Sequence, residues 1–241
     1  LSQRRRGLWE ESIANLKKAL QLDPANRFYH SILLETMGSV GQWQAILDHT
    51  VSLSDADPDD LDSQVTRAWA QLELTGDLQP LEAVFQRMNL IGSTQYLSFS
   101  AYVHLMLRDA DAAIAVLEGP IWTGLVEQGQ SFVPYLEQSA TAWRLRGDVA
   151  RSRDLYEQLV AKTEQVMSLA LQDRFYGSLA IAHALARLER FDEATALMEQ
   201  VEIDVPQGRD ALLWGTFLER RALVRALTGD EAGAIEDLEV A

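Results

Sequence analysis

The sequence predicts an all-α fold, a right-handed solenoid of helical hairpins, on three observations. Gly7, Trp9 and Pro24 recur as Gly41, Trp43 and Pro58, a shift of about 34 residues. Further turn signals follow at Gly76-Asp77, Arg108-Asp109, Gly147-Asp148, Glu189-Arg190 and Gly229-Asp230. Small residues flank the last four of these turns in matched pairs: Ala101 and Ala113, Ala140 and Ser152, Ala182 and Ala194, Ala222 and Ala234. Where two helices of a hairpin cross, small side chains let the backbones approach.

Each element of the first unit has a mechanical reason. Gly7 ends one helix, because a helix terminus takes a left-handed residue and glycine has no β-carbon to oppose it. Leu8, Ile13, Leu16, Ala19 and Leu20 recur at three- and four-residue spacing, the apolar face of a second helix. Pro24 stops that helix, since the residue before proline is driven out of helical dihedrals. Asn26 starts the next hairpin.

The string from Gly7 to Asn26, GLWEESIANLKKALQLDPAN, resembles the second helix of a tetratricopeptide repeat at its diagnostic places. Laid on that family's frame, the chain is one solenoid of about seven repeats. They span residues 1–26 (partial), 27–60, 61–94, 95–118, 133–166, 175–208 and 215–241 (partial), with an irregular insert at 118–132. The third unit carries one extra residue before Gly76, and the sixth recovers its closing proline as Pro206. Leu34 and Ile46 stand where the family places small residues, so that hairpin is expected to be splayed or shifted. In the insert, Gly119-Pro120 reads as a turn with Pro120 at the first position of a short helix. Both ends fall inside a repeat helix, at Leu1 and Ala241, without the polar caps a repeat stack needs. The expectation is an excerpt of a longer protein, with exposed stacking faces that promote end-to-end self-association.

Composition narrows the function classes. The chain has 241 residues, 47% of them hydrophobic, which suits a globular chain rather than a disordered one. No apolar run reaches the length of a membrane span, so this segment is not expected to insert in a membrane. The absence of cysteine excludes disulfides, thiolate catalysis and cysteine-bound zinc. The compartment stays open between cytoplasm, which is slightly favoured, and periplasm. A net charge of −15 argues against nucleic-acid binding, because phosphate repulsion would oppose it; Arg4-Arg5-Arg6 does not reverse that. The same charge favours a basic partner.

No catalytic constellation is expected, and no metal or cofactor. His30, His49, His104 and His183 lack metal-ligand spacing. The acidic stretch from Asp55 to Asp62 has Asp60 and Thr66 where a calcium loop needs glycine and glutamate, and reads as an inter-repeat turn. The expected function is binding. In the tetratricopeptide family the first helix of each hairpin lines a concave groove, and the resemblance puts Arg4, Arg5, Phe28, Ser31, Glu35 and Trp69 on it, followed by Ser98, Tyr102, Leu105 and Met106. Later units add Glu137, Thr141, Arg144, Tyr176, His183, Arg187 and Glu219. Aromatics, arginines and methionine are enriched at protein interfaces. The chaperone-binding members clamp a carboxylate with lysine and asparagine; Leu1, Ile32, Asp62 and Thr66 stand at those places here and cannot.

Two strings, RRRGLWEESIANLKKALQLDPANRFY and DADPDDLDSQVTRAWAQLELTGDLQPL, resemble the repeat region of large bacterial signalling proteins. Those join such repeats to an adenylate or guanylate cyclase, a serine/threonine kinase or a winged-helix domain, with TolB-like segments. The resemblance implies a non-enzymatic scaffold or sensory module that binds a protein segment in the groove. The alternative is a metabolite sensor with a ligand near Trp69 and Tyr102.

Overall fold

A computed structural model describes residues 2–56, 60–88, 94–127, 132–205 and 210–240. Leu1, Pro58, Pro206 and Ala241 lie outside the described residues. Those described form helices and turns only, without strands. The chain divides into two compact units, residues 1–93 with 208–212 and residues 94–207 with 213–241.

Unit 1 contains α1 (Ser2–Arg5), α2 (Trp9–Leu22), α3 (Arg27–Gly38), α4 (Trp43–Ala56), α5 (Leu61–Thr75) and α6 (Gln79–Met88). Its core gathers Ile13, Leu20, Leu33, Leu34, Met37, Ile46 and Ala70, one apolar stripe from each of several helices. Leu34 and Ile46 occupy the crossing of α3 and α4, and these two helices approach over fewer positions than α5 and α6 do. Trp43 is half-buried against this core, with its ring over Gly38. It serves the hairpin by covering a helix end rather than by filling the centre.

Unit 2 contains α7 (Thr94–Met106), α8 (Ala110–Leu117), α9 (Pro120–Glu127), α10 (Phe132–Arg146) and α11 (Val149–Val160). It continues with α12 (Thr163–Met167), α13 (Leu171–Arg187), α14 (Phe191–Asp204), α15 (Ala211–Thr228) and α16 (Glu231–Val240). α7 pairs with α8, α10 with α11 and α13 with α14, and α10 also packs on α8 as α13 packs on α11. All eight small residues of the matched pairs are buried, seven of them at 2% exposure or less and Ala234 at 6%. Close approach at these points is what a larger side chain would prevent. α9 begins at Pro120 and buries Trp122 against Leu97, Ala101, Ala113 and Ala142. α12 has no counterpart in the repeat pattern. Val166 presses it onto α13 at Gly177, where a β-carbon would come within 2.5 Å of the Val166 side chain. That close approach explains a glycine inside a helix, a placement that costs about 0.5–1 kcal/mol relative to alanine. At the far end Asp237 is buried and held by both forks of Arg221, at 2.9 and 2.7 Å, with Arg225 at 3.0 Å. This cluster joins α16 to α15.

One local geometry recurs at every hairpin turn. Among the described residues, those with positive φ are Gly7, Gly41, Gly76, Arg108, Gly147, Glu189 and Gly229, one at each turn signal. At Gly147 the amide donates to the Arg144 carbonyl (3.0 Å) and the Asp148 amide to the Trp143 carbonyl (2.9 Å). This is the Schellman closure, in which a left-handed residue folds the chain back onto the last helical carbonyls. The same long return bond closes the turns at Leu8, Gln42, Asp109, Arg190 and Asp230. The turn at Gly76 differs: its amide bonds the Leu72 carbonyl at 2.7 Å in the simpler single-bond motif. Asp109, Asp148 and Asp230 then cap the following helix through Ala112, Arg151 and Gly233 amides.

Arg108 and Glu189 hold φ values of 58° and 64°, a region that costs a side chain about 1 kcal/mol. Replacing either with glycine should therefore raise the unfolding free energy by about 0.5–1 kcal/mol, despite the greater freedom glycine gives the unfolded chain. Gly147→Ala, at φ 96°, should lower it by at least as much. Chemical denaturation of the three variants checks the signs.

Candidate functional site

In unit 2, α7, α10 and α13 lie side by side, and Arg220 of α15 reaches α10 directly. Their common face carries a polar cluster of unit 2. Glu137, Thr141 and Arg144 fall at helical spacing on α10, and Tyr176, His183 and Arg187 on α13. The two rows meet at Glu137. Its side chain is 13% exposed, and one carboxylate oxygen accepts from Arg220 Nη1 at 2.7 Å and from His183 Nδ1 at 3.1 Å.

These bonds fix the protonation states. Burial alone would raise the Glu137 carboxyl. The bond from His183 and the charge of Arg220 more than offset it, so the group sits below its ordinary value and is a carboxylate at neutral pH. A carboxylate can only accept, so His183 carries its proton on Nδ1. Its Nε2 then accepts from Arg187 Nε at 3.2 Å. Next to this chain the Tyr156 hydroxyl meets the Thr141 hydroxyl at 3.2 Å, and the Tyr156 ring stands edge-on to His183 at 5.8 Å. Burial raises the Tyr156 pKa, so it remains a neutral phenol. The result is a carboxylate–imidazole–guanidinium relay that ends at Arg187.

The sequence-predicted residues divide between the units. In unit 1, Arg4 is buried and paired with the exposed Glu35 at 2.6 Å, Phe28 is 57% exposed, and Trp69 is half-buried. In unit 2, Tyr102, Met106 and Tyr176 are 45%, 39% and 46% exposed, Arg144 is exposed and Arg187 partly so. His183 is buried in the relay and does not present itself to solvent. Arg220 and Tyr156 were not anticipated. Arg220 neighbours the expected Glu219, so a one-residue shift along α15 separates them; Tyr156 belongs to the second helix of its hairpin, outside the rule used.

A second histidine cluster lies in unit 1. The Pro24 carbonyl accepts from His30 Nε2 at 2.9 Å, leaving His30 Nδ1 to accept from His49 Nε2 at 2.8 Å. Burial, then the charges of His30 and Lys17, lower the His49 pKa. Among the described residues no group of three or more histidine, aspartate or glutamate side chains is arranged to hold a metal. No described helix is long and apolar enough to cross a membrane.

The fold has a solved counterpart. A tetratricopeptide repeat protein from Parabacteroides merdae superposes with a TM-score of 0.59 at 15% identity, over 97% of this chain and 85% of that one. No family model and no curated protein matches the sequence. The likeness shows a tetratricopeptide-type helical-repeat fold.

Two measurements probe these clusters. Removing Glu137 leaves His183 buried with a lost partner and Arg220 unpaired. Glu137→Ala should cost about 3 kcal/mol, the low end for a broken buried pair because Arg220 keeps contact with water. The Glu137 contribution is present above the ordinary carboxyl range and is lost as pH falls through its lowered folded value, so the variant should lose less stability on acidification than the parent. For His49 the unfolded chain takes a proton first, near pH 6.5. Stability should therefore decline from there down to the lowered folded value, and His49→Gln should flatten that part of a melting-temperature profile.

Proposed function

We propose that this chain is a protein-binding scaffold or sensory segment of a larger bacterial regulatory protein, and that a partner segment docks along the first-helix face of unit 2. The observation that carries the reading is the composition of that face. Tyr102, Met106 and Tyr176 are substantially exposed on α7 and α13, beside Arg144 and Arg187. Exposed aromatic and arginine side chains anchored on rigid helices are the residues that supply most binding energy in protein interfaces. On the same helices Glu137, His183 and Arg187 are held by hydrogen bonds to one another and to Arg220, which pre-organises that part of the face and lowers the entropy lost on docking.

Unit 1 offers fewer such groups. Phe28 is exposed, but Arg4 and Glu35 are engaged with each other. Ile235, Leu238 and Val240 stand exposed on α16 and supply the apolar surface that end-to-end self-association would use. Attachment to a cyclase, kinase or winged-helix domain is supported by the two strings in the first ninety or so residues.

The direct test is affinity capture from the source organism with the parent and with a folded Tyr102→Ala/Tyr176→Ala variant. The pair should contribute about 2 kcal/mol or more of binding, enough to lose the specific partners. Equal recovery by both proteins would place the docking surface elsewhere.

A further inference from the structure

The chain is strongly acidic, yet the centre of this face is not. Glu137 is matched by Arg220, and His183 is neutral because its Nε2 serves as an acceptor. Arg187 is therefore positioned through an uncharged imidazole, and no described carboxylate lies within ion-pair distance of it. Only its Nε is committed; the two terminal nitrogens of the fork remain available for a planar, bidentate acceptor. Arg144 lies at the equivalent, C-terminal end of the neighbouring first helix and likewise forms no ion pair among the described residues. Tyr156 touches Thr141 of α10 and His183 of α13, and Arg144 and Arg187 each stand one helical turn further along the same two helices. Elsewhere in unit 2 most arginines are spent on carboxylates: Arg146 on Asp111, Arg151 on Glu118, Arg190 on Glu193 and Arg221 on Asp237. In a chain with 36 acidic residues against 21 basic ones, two cations on neighbouring first helices that form no ion pair among the described residues are a local reversal of sign.

We infer that Arg187, oriented by the Glu137–His183 relay, and Arg144 together receive a side-chain carboxylate of an acidic partner segment, whose apolar residues rest on Tyr102 and Tyr176. This rests on the reading of the face as a docking surface and specifies its chemistry. The net charge of −15 sets the long-range field and would draw a basic partner. At contact distance the two guanidinium groups decide, because an acidic group there completes two charge-assisted pairs while a basic one meets two like charges.

The test is selection from a displayed library of random dodecapeptides, capped so that no terminal carboxylate takes part, on the full 241-residue chain. The selected pool should be enriched in Asp and Glu. A representative selected peptide should lose affinity by about tenfold on Arg187→Gln or on Arg144→Gln, with unchanged melting temperature. His183→Gln, which can still bridge to Glu137 but holds Arg187 less firmly, should weaken the same peptide and leave Arg144 dependence intact. A pool without acidic enrichment, or one indifferent to both arginines, overturns the carboxylate assignment. If such a pool still loses binding on Tyr102→Ala/Tyr176→Ala, the docking face itself stands. Failure to select any peptide removes both.

Discussion

Everything in this molecule depends on a chain reversal made by one left-handed residue. Each first helix must stop, and its successor must start antiparallel to it, within two residues. A left-handed residue does this by turning its own amide and the next one back onto the last carbonyls of the helix, as Gly147 and Asp148 do onto Arg144 and Trp143. The reversal also sets register. With the turn at Gly147 fixed, Ala140 faces Ser152 and Thr141 faces Tyr156. The crossing and the hydroxyl pair beside the relay are thus consequences of the same two hydrogen bonds. Five turns use glycine; Arg108 and Glu189 carry the strain of a side chain, held there by the buried hairpins on either side.

The fold was legible because its demands fall on residue types that local rules recognise. Glycine at the turn, aspartate after it and a small residue at each crossing are all visible without coordinates. Even the two non-glycine turns could be located, because Asp109 and the alanine pairs around them kept the pattern. What escaped was α12, which rests on the fit of Val166 into the space over Gly177. A single missing β-carbon inside a helix carries no periodic signal. Trp122 shows the same limit in reverse: it lies in an irregular segment, yet it is buried almost completely among Leu97, Ala101 and Ala142.

The candidate site was legible only in part. The resemblance to the tetratricopeptide frame assigned Tyr102, Tyr176, Arg144 and Arg187 to the first-helix face, and these side chains are exposed or half-buried. Spacing could not tell which polar residues on that face would be consumed by one another. Arg4 is bound to Glu35, and His183 is buried between Glu137 and Arg187. The Arg4–Glu35, Glu137–His183 and Glu137–Arg220 pairings join residues far apart in sequence, and depend on how much water the surrounding helices exclude. The relay thus converts three expected contact residues into one support and one presented cation.

If the turn governs the site, disturbing the turn alone must disturb the site. Gly147→Val places a β-branched side chain at φ 96° without touching any residue of the face. Hydrogen exchange followed along the whole chain would read the effect. The account predicts lost protection across α10 and α11, extending to the helices packed on them, α8 and α13, while unit 1 keeps its own. Unchanged protection in α10 and α11 would contradict it, and would mean that packing, rather than the left-handed turn, holds the hairpin in register.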